Sequence, residues 1–323
     1  MIRNFDSSML GVIGNTPLVE LQRLTKNIEG SIYAKLEFFS PGLSKKDRVA
    51  LQMIEDAESK GILKPGQTVV ELTSGNMGTG LAIVCKLKGY KFVAVMSKGN
   101  SIERAKMMKA FRAEVVLVDQ MPDSIKGQVS GKDLELVEVE AQRLTKEYNA
   151  FRADQFFNAS TMDVGEDKIG PEIIEQMKET KVDIFVDFMG SGGSFIGVSK
   201  ALKKKYPNVK CFGVEPDNAS FYSSEEGSSG KHSIQGGGYN MQLNFVDKNQ
   251  HVIDGFITVS DQEALNAAKL LASEECIFAG YSSGANLAAA LKLLKGKFKG
   301  KNIVILTPDS GTKYLSTDLW SNV

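Results

Sequence analysis

The chain has 323 residues, 42% of them hydrophobic, which is enough apolar material for one large domain or for two. Its 39 basic and 39 acidic residues give a formal net charge of zero, so charge does not favour a nucleic acid or an anionic membrane as a partner. Residues 1–6 lack an apolar signal core, and no apolar run approaches the roughly 20 residues that span a bilayer. We therefore expect a cytoplasmic enzyme acting on a small polar ligand.

The cysteines and histidines are too few and too scattered for a metal site or a hydrolase. Cys85, Cys211 and Cys276 stand singly in apolar segments without CxxC spacing, which predicts small buried side chains rather than disulfides, a zinc cluster or a catalytic thiol. His232 and His251 lie in polar, glycine- and serine-rich stretches, unlike the histidine of a Ser-His-Asp triad or of a metal site. We therefore expect no bound metal.

In chain order, the first distinctive segment is Ser-Pro-Gly-Leu-Ser-Lys-Lys-Asp-Arg at residues 40–48. Its proline and glycine end a strand-like run at residues 32–38. Ser44 is predicted as the N-cap of a helix marked by apolar residues at 49–54. The segment therefore predicts a turn that opens into a helix.

This turn would place Lys46 in the first turn of that helix. The positive end of the helix dipole and the cations Lys45 and Arg48 would all disfavour a protonated ammonium there. A solvated basic run is the simpler interpretation of the stretch in isolation. The alternative is a reactive amine.

Strand-like and helical segments then alternate through both halves, which is typical of a parallel α/β architecture. The predicted strands are 68–72, 91–96, 114–118, 182–188, 209–214 and 302–306. The predicted helices are 77–87, 102–111, 195–205, 262–273 and 283–294, with surface loops at 119–131 and 225–230. Two successive α/β units predict two domains with a cleft between them, at the carboxyl ends of the strands.

Two glycine-rich turns stand at strand-to-helix junctions: Thr-Ser-Gly-Asn-Met-Gly at 73–78 and Gly-Ser-Gly-Gly-Ser at 190–194. Successive backbone amides at a helix N-terminus bind phosphate, because unpaired donors and the helix dipole point at the same spot. We favour a phosphate site for the second turn. A glycine turn that only packs a helix on a strand is the alternative.

Other phosphate motifs fit residues 190–194 less well. A Walker A loop would end in Gly-Lys-Ser/Thr, which this turn lacks. A dinucleotide fingerprint would need glycine at Phe195, although Glu215, at the end of the next strand, resembles the acid that binds ribose. An NAD-dependent oxidoreductase therefore stays as an alternative from another class.

A third turn, Gly-Tyr-Ser-Ser-Gly at 280–284, precedes an alanine-rich helix. Ser282 or Ser283 is predicted as the N-cap of that helix. The other hydroxyl would be free to face a ligand.

Six motifs in order resemble the cysteine synthase (O-acetylserine sulfhydrylase) family, which is grouped with cystathionine β-synthase among the fold type II pyridoxal-phosphate enzymes. They are Gly-Asn-Thr-Pro-Leu at 14–18, Pro-Gly-Leu-Ser-Lys-Lys-Asp-Arg at 41–48, Thr-Ser-Gly-Asn at 73–76, the turns at 190–194 and 280–284, and Pro-Asp-Ser-Gly-Thr-Lys-Tyr-Leu at 308–315. The match covers nearly the whole chain.

The resemblance implies an α/β fold like that of the tryptophan synthase β subunit, with a mostly parallel twisted sheet flanked by helices in each of two domains. The smaller N-terminal substrate-loop domain would comprise residues 1–12 and 36–153. The larger, cofactor-phosphate-binding domain would comprise residues 13–35 and 154–323. Pyridoxal 5'-phosphate would lie between them. The resemblance also implies a homodimer, and the sequence leaves open whether a serine acetyltransferase binds it.

Carried over by position, the resemblance implies a Schiff base between Lys46 and pyridoxal phosphate. The cofactor's phosphate would be held by Gly190, Ser191, Gly192, Gly193 and Ser194, its phenolic oxygen by Asn76 and its pyridine nitrogen by Ser282. The substrate carboxylate would be bound by Thr73, Ser74, Asn76, the amide of Met77 and Gln155.

A serine hydroxyl is a weak partner for the pyridine nitrogen, so the ring would be a modest electron sink. Modest electron withdrawal suits loss of a β-substituent, which favours β-elimination to an α-aminoacrylate and then attack by a nucleophile. The freed lysine amine would remove the α-proton. The family default is synthesis of L-cysteine from O-acetyl-L-serine and sulfide.

The sequence departs from the family pattern at Met77, where threonine is usual, and at 158–162, 168–172 and 237–241. The segment 120–134 looks longer than in typical cysteine synthases and is similar to relatives that make diaminopropionate precursors. These departures leave open the leaving group and the nucleophile. The alternative is an L-cysteine-consuming enzyme that releases hydrogen sulfide and forms L-serine, lanthionine or a related product.

Overall fold

The computed structural model describes residues 6–125, 127, 129–223 and 230–321. Within these ranges, ten strands form two sheets: β1 (Leu18–Glu20), β2 (Ser31–Leu36), β3 (Thr68–Leu72), β4 (Lys91–Ser97), β5 (Glu114–Val118), β6 (Phe151–Arg152), β7 (Ile184–Phe188), β8 (Lys210–Pro216), β9 (Gly255–Val259) and β10 (Asn302–Thr307).

The helices in those ranges are α1 (Gln22–Thr25), α2 (Lys46–Ser59), α3 (Asn76–Lys88), α4 (Ile102–Ala110), α5 (Gly131–Glu147), α6 (Ser160–Val164), α7 (Gly170–Gln176), α8 (Gly193–Lys205), α9 (Asn244–Asp247), α10 (Asp261–Glu275) and α11 (Tyr281–Lys295). None of these helices is long and apolar enough to cross a membrane. Within the same ranges, no group of three or more His, Cys, Asp or Glu side chains could hold a metal ion.

The strands form one sheet of six, in the order β1-β2-β10-β7-β8-β9, and one of four, in the order β5-β4-β3-β6. Every pairing is parallel except that between β1 and β2. Parallel strands end at the same edge of a sheet, so the loops after β3 and β7 lie at the edges where ligands bind in such folds. The predicted fold class, with two mostly parallel sheets flanked by helices, is confirmed.

In the larger sheet, the C-terminal strand pairs with a strand from the N-terminal part of the chain. The last strand, β10, pairs with β2 in a register that sets Thr307 opposite Leu36. The N-terminal strands therefore share a sheet with the C-terminal half, while β3 to β6 form the other sheet. The domain boundaries stay a prediction, and Leu36, which we assigned to the smaller domain, is a strand residue of the six-stranded sheet.

Helix α5 was not predicted from the sequence. A capping box begins it, in which the Ser130 hydroxyl accepts from the Asp133 amide and the Asp133 carboxylate accepts from the Ser130 amide. Val137, Ala141 and Leu144 then follow at helical spacing and pack on the four-stranded sheet. The Ser-x-x-Asp pattern before that spacing is the signal that could have found this helix.

The prediction of buried cysteines is confirmed for Cys85 and Cys211 and is wrong for Cys276. Cys276 is exposed at the end of α10, with a left-handed φ of 56°. It is the C-cap of α10 and so lies beyond the helical pattern from which its burial was predicted. The predicted glycine- and serine-rich loop at 225–230 lies outside the described residues except for Gly230.

Candidate active site

The predicted cofactor and substrate residues come together around two adjoining cavities. The first, of about 40 Å³, is lined by seven of the predicted residues: Lys46, Asn76, Gly190, Ser191, Gly192, Ser194 and Ser282. The second, of about 30 Å³, is lined by Lys46, Ser74, Asn76, Met77 and Gln155, among others. Lys46, Asn76 and Ser191 belong to both. Residues far apart in sequence therefore meet at Lys46.

The turn before α2 is fixed by its own side chains and by the C-terminal segment. Leu43 has a left-handed φ of 57°, and the Gly42 amide donates a short hydrogen bond to the Asp47 carboxylate. The Lys45 amide donates to the Pro308 carbonyl at 2.9 Å. Helix α2 therefore begins at Lys46 in a fixed orientation.

The prediction of Ser44 as the N-cap of α2 is wrong, because Lys45 occupies that position without a side-chain cap. The Ser44 hydroxyl still accepts from the Lys46 amide at 3.3 Å. It therefore satisfies one donor of the first turn from one residue further back.

The Lys46 ammonium has no hydrogen-bond partner among the residues that the structure describes. Burial, and next the positive charge of Lys45, lower the pKa of Lys46 to about 8, against the opposing charges of Asp187 and Glu71. Arg48, which the sequence suggested as a second cation acting on Lys46, is not among the causes of this shift. The lowered pKa that the sequence predicted for Lys46 therefore comes from burial and one neighbouring cation rather than two, and its role as the reactive amine stays a prediction.

The turn at 190–194 follows β7 and opens α8. Gly192 has a left-handed φ of 82°, which favours glycine, and a Cβ at Gly190 would lie 2.8 Å from the Gly236 carbonyl oxygen. Gly193 is the first residue of α8 and lies off the cavity wall, against Thr161. Helix N-termini carry unpaired amides and a partial positive charge, so this turn could hold a phosphate.

The turn at 73–78 approaches the second cavity from β3. Thr73 does not line the cavity, because its hydroxyl oxygen accepts from the Gly75 and Gly78 amides, each at 2.9 Å. Ser74 and Met77 do line it. The predicted carboxylate contacts therefore divide into Thr73, which shapes the loop, and side chains that face the cavity.

Gln155 reaches the same cavity from the loop after β6. Its side-chain amide donates to the Leu72 carbonyl at 3.2 Å, and its backbone amide donates to the Glu71 carboxylate at 3.2 Å. Burial raises the pKa of Glu71 to about 7, against the charge of Arg152. Gln155 is therefore fixed to β3 beside the 73–78 turn.

Asn76 is oriented by two residues to which we had assigned no role. Its Nδ2 donates to Asp309 at 2.7 Å, and its Oδ1 accepts from the Lys313 ammonium at 2.8 Å. These contacts fix which end of the amide carries the N–H groups and leave one N–H for a ligand. Both residues belong to the motif at 308–315, which the sequence showed. The sequence did not show that this motif contacts Asn76.

Ser282 and Ser283 both lie inside the first turn of α11, since Gly280 is the N-cap, and the prediction that one of them caps the helix is wrong. The Ser283 hydroxyl is buried and unpaired among the described residues. Ser282 lines the first cavity. Its hydroxyl has no partner among those residues, so it is available to a ligand.

Glu215 does not serve the nicotinamide alternative. Its carboxylate accepts hydrogen bonds from the amides of Phe221, Tyr222 and Ser223, at 2.8 to 3.1 Å. The side chain therefore holds the turn after β8, where a ribose-binding acid would need its oxygens free.

A larger cavity, of about 710 Å³, adjoins the second cavity. Leu72, Phe156 and Tyr239 line both. The rest of its wall includes α5 and the segment before it, with Asp123, Lys132, Asp133 and Glu138 among its charged residues. The part of the chain that looked longer than usual therefore borders the approach to the site.

The chain is similar to known proteins over nearly its whole length. Residues 9–309 match the model of the family described as "Pyridoxal-phosphate dependent enzyme". The chain is 40% identical over 310 residues to a cysteine synthase of Staphylococcus aureus, covering 96% of each protein. It is 38% identical to an O-ureido-L-serine synthase of Streptomyces lavendulae, covering 98% of this chain and 93% of the relative.

A solved structure of a hydrogen sulfide-producing enzyme from Fusobacterium nucleatum is also similar. It superposes with a TM-score of 0.87 at 35% identity, covering 96% of this chain and 100% of that one.

Proposed function

The chain belongs to the family of pyridoxal-phosphate dependent enzymes, and we therefore propose that it catalyses cysteine synthesis by β-replacement, from O-acetyl-L-serine and sulfide. The observation that carries the proposal is the position of Lys46. An unpaired amine with a pKa of about 8 lies where a phosphate-binding turn and a second helix N-terminus meet.

The residues present fit pyridoxal phosphate. Gly190 allows a close backbone approach that a Cβ would block, and the first turn of α8 supplies amides for a phosphate. In this proposal residues 190–194 hold the phosphate, Asn76 the phenolic oxygen and Ser282 the pyridine nitrogen. When bound, the cofactor supplies an electron sink that weakens the bonds at the substrate's α-carbon.

Two adjacent lysines could in principle bond to the cofactor, and their contacts favour Lys46. The Lys45 ammonium is held by Asp187 at 2.9 Å and by the Ser194 hydroxyl at 2.7 Å. Lys46 lines both small cavities and is held by neither acid nor hydroxyl among the described residues. An amine must be unprotonated to attack an aldehyde, and the lowered pKa supports Lys46 in that role.

We propose that the substrate's carboxylate binds at the N-terminus of α3. Ser74, Asn76, the Met77 amide and Gln155 would contact it, and Thr73 would hold the loop in shape. Unpaired amides and the helix dipole favour an anion at that position. This orientation would present the α-carbon to Lys46.

Lys46 would also move the proton. At pH 7, a pKa of about 8 leaves roughly a tenth of the amine unprotonated, far more than an ordinary lysine offers. The amine, once displaced by substrate, would take the proton from the α-carbon and return one after the nucleophile has bonded. Gln155 and Met77 are buried, which limits water beside this step.

A second candidate is consumption of L-cysteine with release of hydrogen sulfide, followed by addition of water, a second cysteine or another amine. The adjoining cavity of about 710 Å³ favours it, because sulfide needs no such space and an amino acid does. The similar Fusobacterium protein is described as hydrogen sulfide-producing. We propose in either case a cytoplasmic homodimer, and binding of a serine acetyltransferase remains to be tested by co-purification.

The test uses the purified full chain loaded with pyridoxal phosphate. O-Acetyl-L-serine with sulfide should yield L-cysteine, while L-cysteine alone should release little sulfide. Rapid sulfide release from L-cysteine, without turnover of O-acetyl-L-serine, would replace the first candidate by the second. Absence of cofactor binding would overturn both.

A further inference from the structure

A buried ion pair lies beside the proposed phosphate turn, and its lysine, Lys45, also lines the first cavity. The side chain of Lys45 is 11% exposed and that of Asp187 is fully buried. Their closest approach is 2.9 Å, from the ammonium to Oδ2, with a second contact of 3.1 Å to Oδ1. Asp187 lies on β7, three residues before the turn at 190–194. A carboxylate therefore lies within reach of a site that is proposed to bind an anion.

Ser194 joins this pair to the turn. Its hydroxyl donates to Asp187 Oδ2 at 2.6 Å and accepts from the Lys45 ammonium at 2.7 Å. A hydroxyl has one proton, so Ser194 cannot donate to a phosphate while it donates to Asp187. The carboxylate thus competes with the phosphate for the same donor.

A carboxylate at this position would weaken phosphate binding unless its charge were cancelled. Like charges repel more strongly in a poorly solvated site than in water. Besides Lys45 and Ser194, the donor to Asp187 among the described residues is the neutral Asn286 amide, at a long 3.4 Å. Lys45 is the cation in hydrogen-bond contact with Asp187 among the residues that the structure describes.

We propose that Lys45 is a positioning residue for the cofactor phosphate. By pairing with Asp187, its ammonium offsets a negative charge beside the 190–194 turn that would otherwise repel the phosphate. The inference rests on the proposed function, since it assigns a role toward the cofactor of that same site. Lys45 would then favour binding of the cofactor's phosphate, and Lys46 would bond to the cofactor's aldehyde carbon.

The test is a double-mutant cycle on cofactor affinity, read from the fluorescence and absorbance of the full-length apoprotein titrated with pyridoxal 5'-phosphate. Lys45→Met should weaken binding at least tenfold, because Asp187 keeps its charge and loses its cation. Asp187→Asn should bind the cofactor as tightly as the native protein or more so. The double variant Lys45→Met/Asp187→Asn should return to within about threefold of native affinity.

Pyridoxal, which lacks the phosphate of pyridoxal 5'-phosphate, is the control ligand. Its affinity should fall less than threefold in Lys45→Met, because the repulsion acts on the phosphate. Lys203 supplies the matched variant: its ammonium pairs with Asp254 at 2.6 Å near the other end of α8. Lys203→Met should leave affinity for both ligands unchanged.

The inference fails if Lys45→Met binds pyridoxal phosphate like the native protein, if it loses pyridoxal affinity equally, or if the double variant does not recover. If Lys45→Met does not fold, the cofactor affinities of Lys45→Arg and of the double variant test the inference. Both should bind within about threefold of native, and a tenfold loss in either would overturn the inference. Native protein that does not bind pyridoxal phosphate would instead overturn the proposed function.

Discussion

Two cations in the first turn of α2 represent opposite ways of burying a positive charge. The Arg48 side chain is 4% exposed and lies 2.8 Å from Glu37 and 2.6 Å from Glu172. Lys46, two residues earlier, has no such partner among the described residues. Burial lowers the pKa of both, but the two acids more than offset it for Arg48, so the pKa of Arg48 rises while that of Lys46 falls.

The difference shows that partners, rather than burial, separate a structural cation from a reactive one. The two acids that contact Arg48 have further partners: Lys35 contacts Glu172 at 2.7 Å, and the Thr16 hydroxyl donates to Glu37 at 2.7 Å. Burial alone would raise the pKa of Glu172, but Arg48 and Lys35 lower it to about 2. Arg48 is therefore paired, whereas Lys46 is unpaired among the described residues, which supports the reactive role that we propose for Lys46.

The largest effect should come from removing the unpaired cation. Lys46→Ala should reduce turnover with O-acetyl-L-serine and sulfide more than about a thousandfold, because both the bond to the cofactor and the proton acceptor are lost. The unfolding midpoint of the apoprotein should stay level or rise, since a buried unpaired charge is removed. Steady-state rates and thermal unfolding measure the two effects.

Lys60→Ala is the control, because Lys60 is exposed just beyond the other end of the same helix. It should change neither rate nor stability. Borohydride reduction followed by peptide mapping should find the cofactor on position 46 in the native protein. Modification of position 45 instead would contradict the assignment of the two lysines.

Replacing Arg48 should lower stability strongly and activity only slightly, the reverse of what we expect for Lys46→Ala. Arg48→Met leaves the fully buried Glu37 carboxylate without its cation, and we expect a loss of about 3–5 kcal/mol in the free energy of unfolding. Turnover per folded molecule should change only a few-fold, because Arg48 does not line the cavities. Urea denaturation, followed by rates on the folded fraction, measures both.

Arg143→Met is the control for Arg48→Met. Arg143 contacts Glu140 and Glu147 in a comparable geometry, but its side chain is 56% exposed. Exposed ion pairs contribute little, so the loss should stay below about 1 kcal/mol. Equal losses in the two variants would show that the Arg48 cluster is no more stabilising than a surface pair.

The features predicted well from the sequence are those fixed locally. β3 and β5 have the predicted bounds, and the glycine turns lie at strand-to-helix junctions as expected, because glycine and the strand pattern act over a few residues. Lys46 was singled out from its neighbours alone.

The pairing of the charges could not be predicted in the same way. Glu172, which neutralises Arg48, is 124 residues away, and Asp187, which holds Lys45, is 142 residues away. Within the basic run at 45–48, Lys46 could be singled out from its neighbours, but the acidic partners of Lys45 and Arg48 could not. The return of β7 and α7 beside α2 separates Lys45 and Arg48, which have acidic partners there, from Lys46, which has none among the described residues.

The smallest effect is the dependence of Lys46 reactivity on pH. Its folded-state pKa of about 8 lies below the ordinary lysine value of 10.5, so the amine becomes nucleophilic as pH rises through 8. Labelling of position 46 in the apoprotein by an amine reagent should therefore increase about tenfold between pH 7 and pH 9, after correction for the reagent. Mass spectrometry of the peptide measures the extent of labelling.

Because Lys46 in the unfolded chain keeps its proton up to about pH 10.5, its lowered folded-state pKa also makes the folded state more stable as pH rises from 8 to 10.5. Lys45→Met removes one cause of the lowered pKa, so its labelling midpoint should move upward, which separates the effect of burial from that of the neighbouring charge. A native midpoint above pH 9.5 would mean that Lys46 is as well compensated as Arg48, and the contrast between the two cations would disappear.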